Sequence, residues 1–376
     1  MSTGTHDALV IGGGLHGLSA ALHLARAGKR VAVLERSWVG RHASGASAAG
    51  VRTLNRPLIE LPISLEAMDM WHRIEMIVGN DCGFHAGGQV RVAENTKDMS
   101  VLEKRFATVR GAGYHHEELV DRAELLRLVP AISPHCVGAL VARRDGAADP
   151  HRTLQAFRHA AEIAGVSINE RCGVTAIEHV GSDWRVRTDG RVFVAPVIVN
   201  AAGAWAGEIA AMLGDDIPLG LKASMMMVTE RVAPLLTPVV GVAGRPLSFK
   251  QSGQGTLVIG GGLQGRADIK TQQSFVDFDE LAKGARAAVD LFPCIRSVRI
   301  VRTWAGMEAK TEDHQPVIGA SPNGNGVFHA FGFSGHGFQL VPVVGAILAD
   351  LILHGRTGRP IEAFSAKRLM KQEAAA

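Results

Sequence analysis

Apolar and polar positions fall in blocks along the chain, and the period of the blocks changes. Residues 7–11 form a short apolar run that ends in Gly12-Gly13-Gly14-Leu15-His16-Gly17. Leu18, Ala21, Leu22 and Ala25 then recur at helical spacing until Gly28, where glycine is the usual helix stop. Residues 30–34 are a second apolar run, closed by Glu35. Strand, glycine turn, helix, strand and acid in that order predict a βαβ unit opening a parallel sheet.

Further along, residues 37–56 read as a Gly/Ser/Ala-rich loop, followed by a helix over residues 56–77. A less regular region extends to about residue 145, with helices near 99–110 and 121–128. Asp149 and Pro150 predict a helix start, an aspartate cap followed by proline in the first turn, and the helix runs to residue 164. Strands are predicted near 174–180, 184–188 and 191–200, then a helix over 205–213. Residues 217–302 are β-rich with one helix near 278–291. Two short strands lie within 316–331, and a glycine-rich loop over 331–338 opens an apolar helix over 338–353. No repeat or Pro-rich linker divides the chain, so two domains woven from discontinuous pieces are expected.

Composition sharpens this pattern at one point. Glycine accounts for 44 of 376 residues, about 12% against a usual ~7%, and there is no G-X-Y period. Tight turns and backbone lying close to a ligand are the expected reasons. Lys plus Arg number 40 and Asp plus Glu 36, a net charge of +4. The basic residues are interleaved with acidic ones and never run to five, so nucleic acid is not an expected partner. Cys82, Cys136, Cys172 and Cys294 are scattered without a CxxC pair. That predicts reduced thiols, no metal site and no iron–sulfur site. The histidines show no metal-ligand spacing. No transmembrane helix is expected, since no ~18-residue stretch is uninterrupted apolar. Residues 1–6 show no basic and apolar leader.

Gly12-x-Gly14-x-x-Gly17 with Glu35 is the strongest chemical signal. Gly12 suits a tight turn, Gly14 suits backbone close to a pyrophosphate, and Gly17 suits close helix–strand packing. Free N–H groups and the positive helix end would face the phosphates. Glu35, 23 residues after Gly12, is spaced to accept hydrogen bonds from an adenosine ribose. A second cluster, Phe331-Gly332-Phe333-Ser334-Gly335-His336-Gly337-Phe338-Gln339, opens the last helix. A helix N-terminus there can stabilise a reduced flavin anion, which favours FAD over NAD.

The stretches ALVIGGGLHGLSAALHLARAGKRVAVLER, NAAGAWA, RTWAGMEAKTEDHQPVIG and HAFGFSGHGFQLVPVVGAILADLI resemble the D-amino-acid-oxidase/sarcosine-oxidase family of FAD-dependent amine oxidoreductases. Within it the chain is most similar to flavin β-type subunits of multi-subunit bacterial dehydrogenases acting on opines, hydroxyproline, proline or sarcosine, and to cyanide synthase. The resemblance implies an α/β fold: a discontinuous Rossmann-type FAD domain over residues 1–85, 146–215 and 303–376, and a mixed-sheet α+β substrate domain over 86–145 and 216–302. It implies oxidation of a C–N bond beside a carboxylate by hydride transfer to FAD. It further implies hetero-oligomeric redox partner subunits, and it leaves open an additional FMN at a subunit interface. The expected station is cytoplasmic, peripheral to the inner membrane through the electron acceptor.

Carried over by residue, Gly12, Gly14, Leu15 and His16 would touch the pyrophosphate, with Ser44 and Ser47 in the loop after the ribose acid. Glu35 and Arg36 would hold the adenosine, and Val174 would meet the adenine. Ala202 and Gly203 would pass near the pyrophosphate. Gly335, His336, Gly337, Phe338 and Gln339 would line the flavin edge, and Arg52 would lie near it. Gly306 stands where family members with covalent flavin have cysteine, so FAD is expected to be non-covalent. Val258 stands where sarcosine oxidases carry a lysine that promotes reaction with dioxygen, so a dehydrogenase is expected. Gln339 replaces a lysine and Gly262 a histidine of those enzymes' substrate site. Arg302 is a candidate carboxylate clamp or a solvated arginine, Met227 a pocket wall or core residue, and His336 a proton carrier or a structural group. The alternatives are a stand-alone oxidase producing peroxide and a flavin electron-transfer subunit with an inactive pocket.

Overall fold

The computed structural model describes residues 5–370. Residues 1–4 and 371–376, which include most of the stretch assessed for a leader and the last six residues of the expected FAD domain, lie outside the described residues.

The βαβ unit forms from Ala8–Ile11, the helix Leu15–Arg26 and Val31–Leu34. It sits in the middle of a six-stranded sheet, in the order Val317–Ala320, Val327–Phe331, Ile198–Asn200, Ala8–Ile11, Val31–Leu34, Ser167–Asn169. All pairings are parallel except that of Val317–Ala320 with Val327–Phe331. Both strands of the opening unit are buried on both faces, which is why they read as continuous apolar runs. The chain leaves Ala8–Ile11 toward one side and returns to pair on the other at Ile198–Asn200. That reversal of strand order is where open α/β sheets bind ligands.

The expected strand over 191–200 is two strands. Val192–Ala195 closes a three-stranded antiparallel sheet with Val174–Val180 and Asp183–Thr188, and Ile198–Asn200 enters the six-stranded sheet. Pro196 lies between them and has no N–H to give to either ladder. The expected helix over 56–77 is also broken, into the 3-10 turn Leu58–Glu60, the helix Leu61–Trp71 and the helix Ile74–Val78. Pro57 keeps Arg56 out of helical conformation, and Pro62 takes the first turn of the middle piece. The helix Pro150–Ile163 is capped by Asp149, whose carboxylate accepts from the amides of His151 and Arg152.

The second domain is built on an eight-stranded sheet, ordered Ile300–Lys310, Gly220–Arg231, Thr256–Gly260, Ser248–Gln251, Val239–Val242, Gln89–Ala93, Gly138–Ala142, Glu118–Asp121. Only Val239–Val242 with Gln89–Ala93 is parallel. The strand Ile300–Lys310 runs unbroken through residue 303, the expected domain boundary. Its far end therefore brings part of this sheet to the nucleotide domain.

The last helix, Gly337–His354, is 18 residues long with a mean hydropathy of 1.7, enough by length and composition to cross a membrane. Gln339 and Asp350 interrupt its apolar run, and the average stays high all the same. Its apolar residues Leu340, Val341, Val343, Val344, Ile347 and Leu348 are fully buried in the core shared with the first helix, the position of a core helix.

Candidate active site

One cavity of about 870 Å³ lies between the two domains. It runs from Glu35, Arg36 and Val174 at one end to Arg52, Arg91 and Glu308 at the other.

At the first end the chain leaves Ala8–Ile11 through Gly12, whose φ is +112°. A Cβ there would lie 2.4 Å from the carbonyl oxygen of Ala201, and a Cβ on Gly17 would lie 2.0 Å from that of Gly12. Any side chain at either position would push the strand, the turn and the helix apart. Gly14 caps the helix without a side chain, so the first-turn amides, which have no partners inside the helix, are aimed at the cavity. Among the described residues only the Ser44 Oγ side-chain atom accepts from them, 3.0 Å from the Leu15 amide. Glu35 accepts the Gly13 amide on Oε2 and the Ser37 amide on Oε1, each at 2.8 Å. Burial raises its pKa against these two bonds. The Arg36 guanidinium lies 4.7 Å above the Trp205 ring. These residues form a cradle for a phosphate with a carboxylate beyond it, the donor and acceptor layout that an adenine dinucleotide requires.

At the other end the helix Gly337–His354 begins, with its first-turn amides also uncapped by any side chain. His336 Nδ1 lies 2.9 Å from Glu60 Oε2. Arg56 Nη1 sits 3.3 Å from the other oxygen of Glu60, and Arg56 also donates to the carbonyls of His336 and Arg52. Burial pushes the Glu60 carboxyl up, but Arg56 and the bond to His336 outweigh that and hold it below the usual range. Burial lowers the His336 pKa to about 4, so its ring is neutral near pH 7. His16 stacks on Phe333, centroids 3.7 Å apart and planes within 3°, and burial lowers its pKa to about 3. His16 is therefore a packed, neutral ring and not a base.

The wall away from the nucleotide comes from the eight-stranded sheet. Lys222, Ser224 and Met226 alternate toward the cavity from one strand, opposite Glu308, Gly306 and Trp304 in register. Arg52 and Arg91 face the same space. Each has one hydrogen bond, Arg52 to the Leu54 carbonyl at 2.7 Å and Arg91 to that of Ala243 at 3.4 Å. Neither makes an ion pair among the described residues. Burial lowers the pKa of Arg52 to about 9 and that of Arg91 as well. Asp145 holds the backbone beside Arg52, accepting the Thr53 and Leu54 amides at 2.8 Å and the Thr53 hydroxyl at 2.7 Å. Two half-buried guanidiniums that make no direct ion pair among the described residues, with Glu60, Asp145 and Glu117 as the nearby carboxylates, can take an anion, and a planar one such as a carboxylate.

Gly12, Gly14, Leu15, His16, Glu35, Arg36, Ser44, Ser47, Val174, Ala202 and Gly203 all line the cavity, as do Arg52, Gly262, Gly306, Gly335, His336, Gly337 and Phe338. Four expected residues lie elsewhere. Gln339 is fully buried against the helix Leu61–Trp71, where it donates to the Ser64 carbonyl at 2.7 Å. Met227 packs in the second domain's core, while its neighbour Met226 takes the cavity face. Val258 is off the cavity, but its partner across the ladder is Lys250. Burial lowers the Lys250 pKa to about 8, and its ammonium donates to the Ala148 carbonyl at 3.2 Å. Arg302 is exposed, its guanidinium 5.6 Å from the Trp304 ring, and it is not a clamp in this cavity.

Sequence reasoning missed Glu60, Arg91, Lys222 and Glu308 as site residues and used Arg56 only as a helix start. Arg56 and Glu60 carry a signal in their spacing of four residues. Lys222 and Glu308 carry one in the two-residue alternation with Met226 and Gly306.

Fold and site together define a flavin-type oxidoreductase. The chain belongs to the family of FAD dependent oxidoreductases (DAO), whose profile matches residues 7–351. It is similar to a glycine oxidase of Bacillus licheniformis, 28% identical, with 96% of this chain and 97% of that protein covered. It is also similar to a sarcosine oxidase subunit beta of Rhizobium meliloti (strain 1021), 26% identical, covering 96% and 88%. Its fold is similar to that of L-proline dehydrogenase from P. horikoshii, with a TM-score of 0.90, 25% identity and 98% of each chain covered.

Proposed function

We propose that this protein is an FAD-dependent dehydrogenase that oxidises the C–N bond of an amino acid or N-substituted amino acid. The observation that carries this is the pair of unpaired arginines, Arg52 and Arg91, in the same cavity as the two uncapped helix starts. Relatives named for glycine, sarcosine and L-proline support the substrate class. Opine-like N-(carboxyalkyl) amino acids, proline and hydroxyproline rank first, then N-methyl glycines and glycine.

Bound FAD supplies the acceptor for the hydride on the carbon beside nitrogen. The first-turn amides after Gly14 would hold its pyrophosphate, and Glu35 its adenosine. A Cβ on Gly306 would lie 2.6 Å from that of Ala46, which leaves no room for a linking cysteine and supports non-covalent binding. Arg52 and Arg91 bind the substrate carboxylate and orient the carbon beside it. The helix start at Gly337 and the neutral His336 present positive dipole, without net charge, at the reacting end.

A redox partner subunit, an interfacial FMN and a cytoplasmic station at the inner membrane belong to the same proposal and rest on the resemblance to β-type subunits. A stand-alone oxidase is the second reading, favoured by Lys250. Its half-buried ammonium lies one strand from Val258, the position at which the resemblance implies a lysine in sarcosine oxidases. The test is aerobic turnover of sarcosine, glycine, L-proline, hydroxyproline and octopine, with dye reduction and peroxide measured side by side. Dye reduction well above peroxide supports the dehydrogenase. Peroxide equal to the substrate consumed, with no gain from dye, makes the protein an oxidase.

A further inference from the structure

The cavity wall beside the loop over 331–338 contains a carboxylate that takes no part in holding phosphate, adenosine or substrate carboxylate. Glu308 stands in the strand Ile300–Lys310, two residues after Gly306 and on the same face. Its Oε1 accepts the Gly335 amide at 2.6 Å, which ties the side chain to the loop that opens the last helix. Its Oε2 has no hydrogen-bond partner among the described residues. That oxygen belongs to a cavity-lining residue and is not among the buried polar atoms without a partner, so it is open to the cavity. Of the carboxylates lining the cavity, Glu35 and Glu208 lie with Val174 and Trp205 at the adenosine end. Glu308 alone shares the end held by Arg52, Lys222 and His336.

We propose that Glu308 receives the substrate's ammonium group and removes its proton, delivering the amine to the flavin as the neutral base. The proposal rests on the C–N dehydrogenase reading. An amino acid reaches the cavity as a zwitterion, and an ammonium has no lone pair with which to expel a hydride from the neighbouring carbon. In the step, the N–H bond breaks and an O–H bond forms at Oε2 of Glu308. The electron pair stays on nitrogen, and one positive and one negative charge become a neutral amine and a neutral carboxylic acid. Loss of both charges is favoured in a buried site.

Other titratable groups set the operating range. Lys222 faces Glu308 directly across the ladder, Lys310 follows it on its own strand, and His336 with Arg56 and Glu60 lies on and behind the loop above. Burial raises the Glu308 pKa while Lys222 opposes the rise, which places the group nearer the working range of a base than an ordinary glutamate.

The test compares FAD-loaded wild type, Glu308→Gln and Lys222→Met. The amine probes are sarcosine and L-proline, and the amine-free probes are methoxyacetate and tetrahydrofuran-2-carboxylate. In Glu308→Gln, methoxyacetate or tetrahydrofuran-2-carboxylate binding, read from the flavin absorbance shift, stays within twofold of wild type. Anaerobic flavin reduction at pH 7 falls at least 100-fold. It then rises about tenfold per pH unit until the free amine supplies the lone pair unaided. In Lys222→Met the acid limb of the reduction profile moves to higher pH. An unchanged pH profile in Glu308→Gln overturns the proposal, and so does equal loss of the amine-free ligands, which would make Glu308 a shape residue. If neither sarcosine nor L-proline reduces the wild-type flavin, and no other amino acid does, the dehydrogenase reading fails first and this proposal with it.

Discussion

Glu60 and His336, 276 residues apart in sequence, meet at 2.9 Å between Oε2 and Nδ1. The carboxylate is fully buried, and its other oxygen lies 3.3 Å from the guanidinium of the equally buried Arg56. The residue that opens the flavin-side helix is thereby fixed to the segment after Pro57, and Arg56 closes the triangle through the His336 carbonyl.

Removing the charge of Glu60 takes away the carboxylate paired directly with the buried Arg56. For Glu60→Gln we expect a loss of ~3–5 kcal/mol, read as a lower urea midpoint, with weaker retention of FAD. Glu60→Ala together with Arg56→Met removes both charges and recovers part of the loss. A midpoint unchanged in Glu60→Gln would show that the pair carries no stability.

Gly12 and Gly28 both have positive φ, at +112° and +80°, but only Gly12 is crowded. Gly12→Ala would set its Cβ against the Ala201 carbonyl, whereas a Cβ at Gly28 meets nothing within 4 Å. We expect Gly12→Ala to purify without flavin colour. Gly28→Ala should keep its flavin and lose about 1–2 kcal/mol, the cost of a left-handed backbone with a side chain. Equal flavin content in the two variants would contradict the cradle.

These glycines were legible in the sequence because their meaning is local: turn, helix and strand follow one another within 35 residues. Glu35 was legible for the same reason. The substrate wall was not, because it depends on register. Lys222 and Glu308 become neighbours only through the pairing of two strands 86 residues apart. Met226 rather than Met227 faces the cavity because side chains alternate along a strand. Gln339 adjoins Phe338 in sequence, but the helical turn points it at Ser64. The apolar run over 191–200 is nearly continuous and so predicts one strand, yet Pro196 divides it between two sheets.

Arg52 lines the cavity and is the proposed clamp, whereas Arg302 is exposed outside it. Arg52→Met should weaken binding of tetrahydrofuran-2-carboxylate by about 2–3 kcal/mol, a roughly 30- to 150-fold rise in Kd. Arg302→Gln should leave that Kd unchanged. The flavin absorbance shift on titration gives both numbers, and the reverse order would restore Arg302.

Acid should unfold this protein early. Burial lowers the pKa of His16 from 6.5 to about 3, and those of His23, His42 and His336 to about 4. Between about pH 6.5 and 4 the unfolded chain protonates these rings and the folded chain does not, so stability falls as pH falls through that window. Asp145, raised to about 6, and the raised Glu35 and Glu308 act in the opposite sense, but the four rings outnumber them. Urea midpoints at pH 7.5, 5.5 and 4.5 should decline in that order, and a flat series would contradict it.

The proposed reaction passes electrons from a carboxylate-bearing amine to FAD within this cavity. Anaerobic mixing of the FAD-loaded protein with sarcosine, glycine, L-proline, hydroxyproline and octopine, followed at the flavin band, measures this directly. We predict that at least one of these amines bleaches the band completely, while their amine-free analogues only shift it. A protein that holds FAD and keeps its full absorbance with every amine would contradict the claim and leave an electron-transfer subunit with a silent pocket.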